Sequence, residues 1–99
     1  MKSVGGRVCV VTGGARGLGR AIAAALGAAG GRLALCDVLT DELEQAASEL
    51  RAAGCEVFAA PCDVSDSAAV DGFFAAVDAA LGPVEVLVNN AALVPGRPE

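Results

Sequence analysis

The sequence contains no histidine, tyrosine or tryptophan, and its single lysine is Lys2. Without histidine the commonest general acid–base side chain is missing, and a zinc site has lost a favoured ligand. The only aromatics are Phe58, Phe73 and Phe74, so a core must be largely aliphatic. Cations are also scarce. Seven Lys and Arg stand against twelve Asp and Glu, for a net charge of −5. That balance excludes a nucleic-acid partner bound through its phosphates, which needs a basic face. No apolar stretch reaches the ~18 residues of a membrane span. Residues 8–11 are too short for the core of a signal peptide. A soluble, cytoplasmic chain with neither membrane nor nucleic-acid partner is expected.

The four cysteines, Cys9, Cys36, Cys55 and Cys62, form no C-x-x-C pair. They read as reduced thiols packed as small hydrophobes, with no metal site. With 99 residues, one domain with a modest core is expected.

What is present is a regular alternation of short apolar runs and amphipathic segments. Residues 7–11 read as a first strand and 20–28 as a first helix, with Ile22 and Leu26 on one face. Gly30 and Gly31 stop that helix. Residues 32–36 form a second strand, ending at Asp37. Thr40 or Asp41 is expected to cap a second helix that runs to about Ala53. Its apolar stripe is Leu43, Ala46, Ala47 and Leu50, and Gly54 closes it. Residues 55–60 form a third strand, ended by Pro61. Ser65 or Asp66 caps a third helix carrying Val70, Phe73, Phe74, Val77 and Leu81 at helical spacing, and Gly82-Pro83 ends it. Residues 84–88 form a fourth strand. The order β-α-β-α-β-α-β predicts a parallel α/β sheet.

The turn between the first strand and the first helix carries the chemistry. It reads Thr12-Gly13-Gly14-Ala15-Arg16-Gly17-Leu18-Gly19, the pattern T-G-x-x-x-G-x-G. Glycines allow a tight turn and close approach of backbone to a ligand. The helix that follows offers unpaired N–H groups and a partial positive charge to an anion. Gly14 and Gly19 have P-loop spacing, but Arg20-Ala21 stand where Lys-Ser/Thr would be needed, so an ATPase site is disfavoured. Asp37, at the end of the second strand, can accept hydrogen bonds from an adenosine ribose and repel the extra phosphate of NADP. Arg16 opposes that preference, since a guanidinium in the loop can pair with a 2′-phosphate. NAD is favoured, with NADP possible.

Together these residues make the chain resemble the cofactor-binding part of a short-chain dehydrogenase/reductase. Thr12 to Gly19 is similar to that family's glycine motif, and Asp37 to the acid of its NAD-preferring members. Cys62-Asp63-Val64 resembles its Asp-Val step, and Asn89-Asn90-Ala91 its N-N-A-G, with Ala92 in place of the glycine. The resemblance runs from Arg7 to Ala92. It implies that Thr12, Gly13, Arg16, Gly17, Leu18 and Gly19 hold the pyrophosphate region and Asp37 the ribose. Asp63 and Val64 would bracket the adenine, and Asn90 and Ala91 would lie along the cofactor. It implies a three-layer Rossmann-type doubly wound sheet, here incomplete, in the order 3-2-1-4, with the dinucleotide at the switch point.

The family transfers hydride between nicotinamide and a carbonyl or secondary alcohol, using a Ser and a Tyr-x-x-x-Lys. Neither motif can be placed in this sequence, so no catalytic residue is expected. Residues 1–99 are expected to be one partial domain of an NAD(P)-dependent oxidoreductase, inactive alone, with 93–99 as an irregular tail. A non-catalytic nucleotide-binding or interaction module is the alternative. The family's dimer faces are expected to be missing, and the fourth strand to present an edge open to self-association.

Overall fold

The computed structural model describes residues 4–90. It contains β1 (Val8–Thr12), α1 (Gly17–Ala28), β2 (Arg32–Asp37), α2 (Thr40–Ala52), β3 (Val57–Pro61), α3 (Ser67–Leu81) and β4 (Val86–Asn89). The four strands are parallel in the order β3-β2-β1-β4. This is the incomplete Rossmann-type arrangement expected from the sequence.

The sheet sorts its side chains with a period of two, as extended backbone must. Cys9, Val11, Leu33 and Leu35 face one layer, with Ala23 of α1 and Leu43 and Leu50 of α2. Val8, Val10, Ala34 and Cys36 face the other, with Phe73, Val77 and Leu81 of α3. Helices on both sides bury all five residues of β1. That explains its unbroken apolar run, since strands covered on both faces do not alternate with polar residues. All three phenylalanines lie in the α3 layer, with ring centroids 6.2 Å apart for Phe58–Phe73 and 5.7 Å for Phe73–Phe74.

Several boundaries differ from expectation. α1 begins at Gly17, three residues before Arg20, so two glycines of the motif are helical. Neither Thr40 nor Asp41 caps α2. Its N-cap is Leu39, which makes no side-chain bond, and the Asp37 carboxylate accepts the Leu39 N–H at 3.1 Å instead. Asp66 does cap α3, accepting the N–H groups of Ala68 and Ala69 at 3.0 and 3.3 Å. Pro61 is the last residue of β3 rather than its stop. Its missing donor is tolerated because β3 is at the sheet edge. β4 starts later than expected and reaches Asn89. Its Leu87 is 54% exposed. The tail at 93–99 lies outside the described residues.

At the amino end of the sheet, charges pair across neighbouring strands. Arg7 bonds Glu85 at 3.1 Å. Arg32 makes two 3.1 Å bonds to Glu56 and donates to the Leu81 carbonyl at 2.9 Å. The arginine holds the Glu56 carboxyl below its ordinary range by donating to it. Arg20 and Glu49 pair between α1 and α2.

Candidate functional site

The carboxyl end of the sheet gathers most of the residues singled out above. Thr12 ends β1, Asp37 ends β2 and Asn89 ends β4. The glycine turn lies between β1 and α1.

Gly19 is the tightest point. A Cβ built there would fall 2.0 Å from the Gly13 carbonyl oxygen and 2.7 Å from Asn90 Nδ2. Real side chains do not make such contacts, so only glycine lets α1 dock this closely on the turn. Gly17 has a different role. Its φ of +60° favours glycine, while the space around a Cβ there is open. Gly17, Leu18 and Gly19 open α1, so their N–H groups have no acceptor four residues back. The first turn of α1 contains no acid. The helix end is therefore free to attract an anion. Arg16 is the N-cap, in extended conformation and exposed, and its side chain makes no capping bond. Leu18 is also exposed.

Asp37 is tied to the turn. One carboxylate oxygen accepts the Ala15 N–H at 3.1 Å and the other accepts the Leu39 N–H at 3.1 Å. A carboxylate has roughly four acceptor positions, so two remain for a ligand's hydroxyls. Exposed Val38 follows Asp37.

A second knot joins β1 to β4. The buried Thr12 hydroxyl donates to Asn89 Oδ1 at 3.0 Å and accepts the Asn90 N–H at 3.0 Å. Asn90 Nδ2 donates to the Gly13 carbonyl at 3.2 Å. Thr12 and Asn90 therefore hold the strand end and the glycine turn together. Asp63 bonds both the N–H and the hydroxyl of Ser65, at 2.9 and 2.7 Å, which shapes the approach to α3. Its neighbour Val64 lines a cleft of about 210 Å³ with Thr12, Asn89, Val70, Phe74 and Leu87. Ala91 lies outside the described residues.

Two positions contribute more than the sequence suggested. Gly14 packs its backbone against β2: its N–H reaches the Cys36 carbonyl at 3.2 Å, and a Cβ would meet Leu35 at 3.2 Å. Asn89, noted only as part of a motif, is the acceptor for the buried Thr12 hydroxyl. The doubled asparagine after an apolar strand was the available signal. No group of three or more potential metal ligands occurs among the described residues. No helix there is long and apolar enough to cross a membrane.

A parallel sheet whose order reverses beside β1, with a glycine turn there and an acid ending β2, defines a Rossmann-type nucleotide-binding architecture. The chain belongs to the short chain dehydrogenase family, whose profile matches residues 7–99. It is 45% identical over 93 residues to the short chain dehydrogenase/reductase dpmpG of Macrophomina phaseolina, covering 93% of this chain and 53% of that protein. It is 47% identical over 87 residues to the acetoacetyl-CoA reductase of Rhizobium meliloti, covering 88% of this chain and 34% of that enzyme. Among solved structures, a short chain dehydrogenase/reductase from Burkholderia phymatum in complex with NAD superposes with a TM-score of 0.86 at 39% identity, over 88% of this chain and 31% of the other. A metagenomic short-chain oxidoreductase in complex with NADP gives 0.86 at 43%, over 93% and 42%. The chain thus spans between about a third and half of the length of these relatives.

Proposed function

We propose that these residues are the dinucleotide-binding part of an NAD(P)-dependent oxidoreductase. The observation that carries this reading is the juxtaposition at the start of α1. An acid-free helix terminus on a glycine turn lies beside a carboxylate that keeps acceptor capacity. A pyrophosphate would be held by the N–H groups of Gly17, Leu18 and Gly19, with Thr12 and Gly13 fixing the turn. Asp37 would take the adenosine ribose, Asp63 and Val64 would flank the adenine, and Asn90 and Ala91 would lie along the rest of the cofactor.

The nicotinamide ring, when bound, supplies or accepts the hydride. The residues here would hold the cofactor's pyrophosphate and adenosine. Asp37 favours NAD, because a 2′-phosphate would bring a dianion against its carboxylate. Arg16 is exposed close by and moderates that preference. No tyrosine occurs in the sequence, and its one lysine is Lys2, so this chain alone is proposed to bind without turnover.

Isothermal titration with NAD, NADP and ADP-ribose tests the reading. NAD and ADP-ribose should bind weakly, and NADP more weakly still. Asp37→Ala should narrow the NAD/NADP gap by about tenfold, the equivalent of ~1.4 kcal/mol. An unchanged preference removes Asp37 from the ribose. Absence of heat with all three ligands, on a chain folded by circular dichroism, overturns the site itself.

A further inference from the structure

We propose that Arg51 and Pro61 close the free edge of β3 against strand addition by a second copy of this chain, the Arg51 guanidinium filling a carbonyl that such a strand would need. β3 has a strand neighbour on one side only, β2. Its backbone groups therefore divide into those that address β2 and those that face outward. The Glu56 carbonyl accepts the Leu33 N–H at 2.8 Å, and the Cys62 N–H donates to the Asp37 carbonyl at 3.1 Å. Successive residues of an extended strand point their backbone groups to opposite sides. Glu56, Phe58, Ala60 and Cys62 thus address β2, while Val57, Ala59 and Pro61 face the open side.

An open strand edge is a template for pairing with another chain. Little of this one is usable. Pro61 has no N–H to offer, and because it lies in the outward phase the ladder to β2 loses nothing by it. The Val57 carbonyl accepts Arg51 Nε–H at 3.3 Å and Nη2–H at 3.0 Å. A carbonyl oxygen has two lone pairs, so both are taken. Among the described residues, that leaves Ala59 as the outward position of β3 with both a donor and an acceptor to give.

The connection between α2 and β3 builds this contact. The Cys55 N–H bonds the Leu50 carbonyl at 3.0 Å, and Gly54, at a φ of +95°, turns the chain back. β3 therefore begins beside the last turn of α2, and Arg51 reaches a carbonyl six residues further on. An arginine in that turn also suits the helix dipole. A dipole role, however, needs only the carbonyls of α2, whereas both donors here meet the outward carbonyl of the next strand. A second copy pairing at this edge must displace the guanidinium, and it brings its own Arg51 to the same edge. The edge does not depend on the nucleotide reading and stands or fails separately from it.

The test is amide hydrogen exchange, resolved by residue with NMR, on the folded full chain at rising concentration. Its resolution separates pairing at β3 from pairing at β4, the other edge of the sheet. In the unaltered chain the Val57 and Ala59 amides should exchange at rates independent of concentration. In Arg51→Ala they should slow by about tenfold from dilute to concentrated samples, as pairing of most chains through β3 requires. Alanine is the best helix former, so α2 is kept. Adding Pro61→Ala supplies the missing donor and should slow them further. Val57 and Ala59 exchange that stays independent of concentration in Arg51→Ala overturns the proposal, whatever happens at β4. So does concentration-dependent slowing of these amides in the unaltered chain, because the edge would then be open with Arg51 in place. Should Arg51→Ala fail to fold, Arg51→Met keeps the aliphatic stem, removes the donors and is read in the same way.

Discussion

The two ends of this sheet are held together by different physics. At the amino end, Arg7–Glu85 and Arg32–Glu56 join neighbouring strands through exposed ion pairs. At the carboxyl end, β1 and β4 are joined by the buried Thr12 hydroxyl and two asparagines, and β2 by a carboxylate bonded to backbone N–H groups. Exposed ion pairs contribute little and are screened by salt. The bonds among Thr12, the asparagines and Gly13 are neutral and part-buried, so they are insensitive to salt and costly to break. The helices repeat the contrast. α2 carries Asp41 and Glu42 in its first turn, which complement its own dipole. α1 carries no acid there. The α2 end is thus neutralised by its own acids, while the α1 end beside the glycine turn is left open.

The severest way to break this contrast is Gly19→Ala. The methyl would strike the backbone of Gly13, which cannot rotate away. A loss of about 3 kcal/mol or more is expected, read as a lower urea midpoint. An unchanged midpoint would mean that α1 is not fixed by its contact with the turn. Asn90→Ala is a milder probe. It removes the bond to the Gly13 carbonyl and should cost about 1–2 kcal/mol, by the same amount at low and high salt. If salt abolished the loss, the carboxyl end would be electrostatic after all.

Arg32→Gln should have the smallest effect. The loss should be slight at low salt and vanish at high salt, by the same urea measurement. The sign of its pH dependence is fixed by Glu56, whose carboxyl is held below the ordinary value of 4.5. A depressed carboxyl stabilises above its unfolded value and loses that contribution as pH falls through the folded one. Wild type and variant should therefore differ at neutral pH and converge on acidification below about 4.5. A difference that persisted unchanged in acid would show that Arg32 acts through its bond to Leu81 rather than through Glu56.

Much of the scaffold was legible because periodicity reports burial. The apolar run at β1 and the spacing of Phe73, Val77 and Leu81 follow from packing that any parallel sheet with two helical layers imposes. Asp66 was legible as a cap because its bonds are local. What escaped was decided by contacts distant in sequence. Asp37 could be placed at a strand end, but not seen to brace both Ala15 and Leu39. Thr40 looked like a cap because its type suits one, yet the Asp37 carboxylate already serves the chain's entry to α2. Gly14 looked like a generic turn residue, although Leu35 of the next strand sets its limit. The early start of α1 was hidden because glycines weaken a helix in isolation. Here Gly17 and Gly19 are retained by the turn and by the close docking of the helix.

The knot between Thr12 and Asn89–Asn90 also has a kinetic meaning. Its hydrogen bonds join residues 77 and 78 positions apart. The pairings β1–β2 and β2–β3 close shorter loops, and shorter loops cost less entropy to close. During synthesis β1, α1, β2, α2 and β3 emerge first and can assemble before β4 exists. Until β4 docks, the Thr12 hydroxyl has no asparagine to bond, and the Gly13 carbonyl lacks the Asn90 amide. Completion of the glycine turn is therefore timed to the last strand of this unit, so a nascent chain stopped short of Asn89 would present an unfinished cradle.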